Sequence, residues 1–599
     1  MIILATFIFN IILIIPFCAG LAAAAARYGS RSLDCKAVPG TAGWPSKDSW
    51  ASLSRSTGGW LLQPAPPGAV CHPGQPTYNA TQCPAVQSGW STFEFHQADP
   101  ISTYWNQWNN DSCLPEEGLP CSGQGYPVYV INATTADHVR LGVNYARRHN
   151  IRLVVKSSGH DFLGRSGAPN ALSIWTHHIK GLQVYDSFSP RHCNVKIPGT
   201  AITVGSGMQM EELYSALDAL NQTIVGGGGR TVSVGGYLTG GGHSLLSARY
   251  GLGTDQVLEM EVVTPSGEIV TANECQNTDL FWAMRGGGGS TFGVLTSITV
   301  KTYPTPQIVN LILALATTDI QSPSVFDMVA YILSQFPHLG DQGLSGYAFI
   351  FSATPNPYDG GATTVAGIFM AMVLQDSTVE AMTELWAPIL AHVNTTWPGQ
   401  FQLIFQTKTY PSFYGWFKEN YDTSAAGVDK IGGSRLLDAD ALTRNLTLSA
   451  EVFKQFSEGS VGNVYLVAGK GVHDAVPRGG SNSVCPAWRS AYVHANYWAD
   501  FAPLNATAKA EAFDRVNYHL EPLRKTLAPD SGAYMNEADP QEPDWQHQFW
   551  GTNYARLLRI KRVVDPDDVL WCTPCVGNER WHQTDDGRLC KVAAWPSLA

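Results

Sequence analysis

Between Gly226 and Gly242 the chain places nine glycines in seventeen residues: Gly226 to Gly229, Gly235, Gly236 and Gly240 to Gly242. Without a Cβ, such a backbone enters positive φ freely, comes close to whatever it faces and can aim N–H groups at anionic or polar atoms. A second run, Gly286 to Gly289, follows. Turn chemistry accounts for each run singly. It does not account for their clustering with a small-residue loop, Lys156 to Ser166, which directly follows Ile151 to Val155, a stretch that reads as a strand. Loops at strand ends commonly carry sites. A lone His160 would ordinarily be a satisfied structural residue. Set in Ser157-Ser158-Gly159-His160-Asp161, with Asp161 able to orient the ring, it reads as a nucleophile or anchor.

Two common nucleotide fingerprints fail on these glycines. Gly240 and Gly242 are followed at the third GxGxxG site by Leu245, Gly286 and Gly288 by Thr291, and no GxxxxGK[ST] occurs. A Rossmann site and a P-loop are disfavoured, so the glycines serve another cradle. The net charge of −11, with no Lys/Arg run, argues against a nucleic-acid partner.

A length of 599 residues exceeds what one core usually serves and predicts two domains. From Arg27 to about Ser122 the chain is Ser-, Pro-, Gly- and Trp-rich without sustained periodicity, a cysteine-containing extension of illegible function. Then Val128 to Ile131 reads as a strand. Thr135 caps a helix presenting Val139, Gly142, Val143 and Ala146, and Ile151 to Val155 is a second strand. Strand and helix periods continue through Val300. After Pro304, runs such as Leu311 to Leu315, Tyr347 to Phe351 and Val365 to Val373 alternate with helices over Val325 to Leu333 and Val379 to Val393. This predicts an α+β domain with a mainly antiparallel sheet. Phe549 to Trp571 reads as a basic amphipathic helix ending before Asp565-Pro566.

Met1 to Ala26 is uncharged and apolar and ends in alanines, which predicts a cleaved secretion signal and an extracellular protein, with a retained anchor as the rival reading. Sequons at Asn79, Asn110, Asn132, Asn221, Asn394, Asn445 and Asn505 agree with that route. Eleven cysteines follow the leader, so disulfides are expected with at least one thiol left over. Cys572 and Cys575 form a CxxC with no second pair, which favours a disulfide over zinc, and no metal site is expected.

The Lys156 to Ser166 arrangement resembles the FAD-binding domain of the vanillyl-alcohol oxidase superfamily, narrowly the berberine-bridge-enzyme-like FAD-linked oxidases. The resemblance continues through Val234 to Ser244, Gly251 to Asp255, Asp279 to Gly289, and Trp550-Gly551-Thr552-Asn553-Tyr554 with Asp565-Pro566. The subgroup it brings to mind is the secreted fungal isoamyl-alcohol-oxidase-like proteins. The resemblance implies a two-subdomain PCMH-type FAD-binding domain over residues 123–304, a substrate-binding domain over 305–540, and a segment, 541–599, that returns to the flavin. It implies FAD bonded covalently to His160 at the 8α position, with Ser157, Ser158, Gly159 and Asp161 around the pyrophosphate. Gly164, Ser166, Gly235, Gly236, Tyr237, Gly240, Gly241, Gly242, Asp255, Gly288, Gly289, Val294, Asn553 and Tyr554 are implied as further flavin contacts. Many relatives carry a second covalent link from a Cys at the position of Gly229, and a His at that of Tyr237, so a single link and altered flavin tuning are expected here.

The activity so implied is oxidation of an alcohol or related small organic molecule by hydride transfer to flavin, with O2 as acceptor. A flavoenzyme of secondary metabolism, performing a dehydrogenation, ring closure or non-redox cyclization, is the alternative. A non-enzymatic secreted glycoprotein is the second. The base is not legible; Tyr492, His494 and Tyr497 are weak candidates because they fall late in the substrate domain.

Overall fold

The computed structural model describes residues 35–356, 359–584 and 586–592. The leader reading, on 1–26, lies outside them. A small unit of 35–36 and 579–592 is a two-stranded hairpin, Trp581–Gln583 with Leu589–Lys591, closed by the Cys35–Cys590 disulfide.

The large unit, 37–578, holds three principal sheets. In the first, β1 (Tyr129–Asn132) and β2 (Leu153–Lys156) flank β3 (Leu172–Trp175) in parallel, and Leu61–Leu62 pairs antiparallel with β1. The helix between β1 and β2, α1 (Ala136–His149), starts where the Thr135 side chain accepts from His138 N–H. It ends at Asn150 in the left-handed region, which asparagine tolerates. The four residues expected on its inner face are buried. Gly142 sits there because a Cβ would lie 2.7 Å from Ile131 Cδ1, so the missing side chain lets α1 lie close on the sheet.

The second sheet is antiparallel, in the order β4 (Leu182–Tyr185), β5 (Ala201–Gly205), β8 (Val294–Lys301), β6 (Val257–Val263), β7 (Ile269–Asn273). The third has seven strands: β12 (Gln402–Tyr410), β9 (Ile308–Thr317), β11 (Thr364–Gln375), β10 (Ser345–Pro355), β14 (Val461–Leu466), β15 (Ala491–Phe501) and β13 (Asp429–Asp438). Every neighbouring pair in it is antiparallel. Its core packs strand residues such as Leu313, Ile350 and Val464 against Val329, Trp386, Phe453 and Val516 of the covering helices. The fold class is α+β, as expected.

Two local expectations change. The Val234–Gly240 part of the glycine run is a short helix, α2, rather than a loop, and Gly235 and Gly240 admit close neighbours there. The single helix expected over Phe549 to Trp571 is broken. Trp545–Trp550 and α3 (Tyr554–Val564) are separated at Gly551, whose φ of 51° an α-helix does not accommodate. Among the described residues ten cysteines form five disulfides, the CxxC among them, and Cys485 remains a buried thiol.

Candidate functional site

The chain leaves β2 into the loop 157–166, which turns at Gly159 (φ 101°) and Gly164 (φ 76°). At Gly164 a Cβ would meet the Trp108 ring at 2.4 Å. Asp161 closes the loop: its Oδ2 accepts from Arg165 N–H at 2.5 Å and its Oδ1 from Arg165 Nε at 2.9 Å. This pins the guanidinium against Asn536, whose Oδ1 accepts from Nη2 at 3.2 Å. The loop thereby forms one wall of a cavity of about 270 Å³.

His160 stands in that wall. Its Nε2 lies 2.8 Å from Thr231 Oγ1, and its ring packs edge-on against Tyr104 at 4.2 Å and against Phe93 at 4.9 Å. Burial lowers its pKa to about 3, against the opposing charge of Glu537, so the imidazole is neutral and keeps a nucleophilic lone pair at ordinary pH. Tyr104, Phe93 and Trp105 come from the N-terminal extension. Asn106 Nδ2 donates to Gly427 O at 2.7 Å and Gly427 N–H to Tyr104 O at 2.8 Å, which ties the extension to the loop that brings Asp422 and Ser424 to the cavity.

Of the residues singled out from sequence, Ser157, Ser158, Gly159, His160, Asp161 and Ser166 line the cavity, as do Gly235, Gly236 and Tyr237 on α2, and Gly289 and Val294. Gly164, Gly240, Gly241, Gly242, Gly288, Asp255, Asn553 and Tyr554 do not. The outlying glycines pack behind the wall. A Cβ at Gly240 would lie 2.1 Å from Asn536, at Gly242 2.6 Å from Tyr237, at Gly288 2.7 Å from Met535 and at Gly241 3.5 Å from Tyr534. Asp255 is held by Arg489 and Asn482. Asn553 Nδ2 donates to Val484 O, and Tyr554 packs on Trp550.

Of the three base candidates on β15, Tyr497 falls on the face opposite His494 because side chains alternate along a strand, and Tyr492 lies at the irregularity where the pairing with β13 shifts register between Leu437 and Asp438. Tyr492 Oη donates to Asp341 and Tyr497 stacks on His519, both away from the cavity. His494 lies behind the wall, its Nε2 2.8 Å from Glu537 Oε2, while Glu537 Oε1 lies 3.0 Å from His243 Nε2. His243 and Glu537 both line the cavity. Burial would raise the Glu537 carboxyl, but the charge and hydrogen bond of His243 and the hydrogen bond of His494 outweigh it, holding Glu537 well below the usual carboxylate range. Sequence reasoning missed Phe93, Trp105, Tyr534, Asn536 and Glu537. None stands beside a glycine loop in sequence; the fold alone delivers them. His243 lay inside a quoted motif without being given a role.

Among the described residues, Ser157 Oγ, Ser166 Oγ, Ser206 Oγ, Ser233 Oγ and Arg165 Nη1 are buried with no hydrogen-bond partner, and all five residues line this cavity. An unpaired buried polar group costs about 1–3 kcal/mol, so five along one cavity mark a surface that a polar ligand completes. Gly236 adds room: a Cβ there would have nothing within 4 Å. A hydroxyl- and phosphate-rich cofactor such as FAD suits that set of donors.

Residues 127–273 match the family described as FAD binding domain, and residues 533–576 that described as berberine and berberine like. The chain is 34% identical over 569 residues to the FAD-linked oxidoreductase patO of Aspergillus clavatus, covering 94% of this chain and 96% of that protein. It is 31% identical over 583 residues to the bifunctional decalin synthase calF of Penicillium decumbens, covering 94% and 96%. The crystal structure of the VAO-type flavoprotein MtVAO713 from Myceliophthora thermophila C1 superposes with a TM-score of 0.86 at 29% identity, covering 94% of this chain and all of that one. These relatives displace the non-enzymatic reading. The chain belongs to the VAO-type, berberine-bridge-like family of FAD-linked oxidoreductases.

Proposed function

We propose that the cavity holds FAD through one covalent bond from His160 to the 8α position, and that the enzyme oxidises an alcohol or related small organic substrate with O2 as acceptor. The observation that carries this reading is the neutral His160 ring set among unpaired serine hydroxyls and the Arg165 guanidinium in one cavity. Bound FAD supplies a two-electron acceptor for a substrate hydride. The chain supplies position: Ser157, Ser158, Gly159 and Asp161 take the pyrophosphate, Gly235 and Gly236 give room to the ribityl chain and ring, and Phe93 and Trp105 screen the tether from water. Gly229 lines the cavity, and a Cβ there would lie 3.7 Å from His160 Cε1, so a second link would start beside the first; glycine leaves only one.

In this reading residues 123–304 are the FAD-binding domain, 305–540 the substrate-binding domain and 541–599 the returning segment. Five disulfides support secretion through an oxidising compartment. Among the described residues no helix is long and apolar enough to cross a membrane. The likeness to a decalin synthase favours, as second reading, a flavoenzyme of secondary metabolism forming rings by dehydrogenation or cyclization.

The test is the visible spectrum of purified protein before and after acid precipitation. Yellow colour retained in the pellet, and lost from it in His160→Ala, is the expected result; colour released to the supernatant of the unmutated protein refutes the tether. Peroxide release from benzyl alcohol or linear primary alcohols then tests the oxidase reading.

A further inference from the structure

At one face of the cavity, Glu537 is clasped between two histidines, His243 from the segment after α2 and His494 from β15. We propose that His243 is the proton acceptor of the oxidation, using Nδ1, with Glu537 and His494 as the positioning residues that fix its tautomer. The proposal rests on the oxidase reading above.

The hydrogen bonds decide the roles. Each carboxylate oxygen of Glu537 faces an Nε2, at 3.0 Å from His243 and 2.8 Å from His494. A carboxylate only accepts, so each ring presents an Nε2–H to it and, when neutral, keeps its lone pair on Nδ1. Both Nδ1 atoms are buried with no partner among the described residues. They differ in place: His243 lines the cavity, whereas His494 is fully buried behind it. Of the two lone pairs, that of His243 is therefore the one on a residue that lines the cavity.

Glu537 is a poor acceptor in its own right, since both its oxygens are committed. It is well placed for a different task. An imidazolium formed at His243 would have a carboxylate 3.0 Å away, so the ion pair is assembled before the proton arrives. The other titratable groups that sense Glu537 are the phenols of Tyr237, Tyr347, Tyr465 and Tyr534 and the ring of His160, and the remaining charged residues of the cavity lining are Asp422 and the mutually paired Asp161 and Arg165. Burial holds the phenols in the neutral form, and His160 is neutral too. The carboxylate is thus the counter-charge at hand. His494 braces its far oxygen, which keeps Glu537 from turning away from His243.

The substrate O–H bond breaks and its proton goes to His243 Nδ1. The O–H electron pair becomes the second carbon–oxygen bond, and the C–H hydrogen leaves with its two electrons to the flavin that this family carries. The substrate is oxidised by two electrons and the flavin reduced by two.

The experiment is ¹⁵N-histidine NMR of the holoenzyme across pH, with the His243 signals assigned by their loss in His243→Asn. The expected pattern is an Nε2–H tautomer that protonates at Nδ1, with a pKa lowered at least tenfold in proton affinity by Glu537→Gln. Should that variant not fold, His494→Asn removes the brace and is expected to shift the same titration. An Nδ1–H tautomer for neutral His243, or a titration indifferent to Glu537 and His494, overturns the proposal. For an alcohol that bleaches the wild-type flavin anaerobically, His243→Asn is expected to slow bleaching about 10²-fold or more at unchanged flavin content; a rate within a few-fold of wild type overturns it. If no alcohol bleaches the wild-type flavin while the NMR pattern holds, it is the oxidase reading that fails.

Discussion

Two glycines one helical turn apart on α2, Gly236 and Gly240, are predicted to respond oppositely to the same added methyl. At Gly240 a Cβ would lie 2.1 Å from Asn536 Oδ1 and 2.3 Å from its Nδ2. To reach an ordinary contact of about 3.4 Å, Asn536 has to retreat by more than 1 Å. It is held by a hydrogen bond to Tyr534 Oη at 2.9 Å and one from Arg165 Nη2 at 3.2 Å, and both break. At roughly 1 kcal/mol for each lost bond, plus overpacking, Gly240→Ala costs about 2–4 kcal/mol. With an unfolding entropy near 2.1 cal/mol/K per residue, a cooperative chain of 599 residues loses about 2–3 °C in Tm. At Gly236 the added Cβ meets nothing within 4 Å, so the helix gains about 0.5–1 kcal/mol. That methyl instead enters the cavity, where it competes with the cofactor. The assay pairs a thermal melt with the flavin-to-protein absorbance ratio. Gly240→Ala should melt lower, and Gly236→Ala should melt no lower than wild type as apoprotein yet carry less flavin. Equal losses of Tm in both would show that α2 needs glycine for backbone freedom, and would refute the packing argument.

Two further predictions concern buried charge away from the cavity. Asp429 has its pKa raised from 3.8 to about 8, first by burial and then by the charge of Asp111. A raised folded-state pKa stabilises the fold fully below the unfolded value of 3.8, and that contribution is lost as pH rises through about 8. Asp429→Asn should therefore flatten the fall in Tm between pH 5 and 8; parallel profiles would contradict this. Arg524 pairs with both Asp539 and Glu542, whose side chains are 1% exposed. Arg524→Ala strands two buried carboxyls and should cost roughly 3–5 kcal/mol, read as a lowered denaturant midpoint, and a midpoint within error of wild type would overturn the reading.

Legibility differed between the fold and the site for a physical reason. The flavin loops are local: small residues at a strand end and glycine runs announce a backbone that must approach a neighbour, and part of those stretches, Ser157 to Asp161, Gly235, Gly236 and Gly289, lines the cavity while Gly164, Gly240 to Gly242 and Gly288 do not. Asn553 and Tyr554 were placed in the site by a motif, yet the fold turns Asn553 to Val484 and packs Tyr554 on Trp550, while Asn536 and Glu537, seventeen residues earlier, face the cavity. Tyr492, His494 and Tyr497 looked equivalent in sequence. Strand alternation turned Tyr497 onto His519, and the register shift of β13 on β15 set Tyr492 against Asp341, leaving His494 with Glu537.

What the sequence determined by itself is what local chemistry can encode: strand and helix periods, the αβ entry to the loop at His160, the cysteine parity that left one thiol, and the glycine density that excludes ordinary side-chain packing. The tertiary structure decided what depends on long-range closure. It put the N-terminal extension over His160, divided the glycines between those facing the cavity and those admitting a neighbour behind it, and brought His243, His494 and Glu537 together from three distant stretches. Contacts between residues hundreds of positions apart leave no periodic trace in the chain, because each residue there answers to a partner that only the folded backbone supplies.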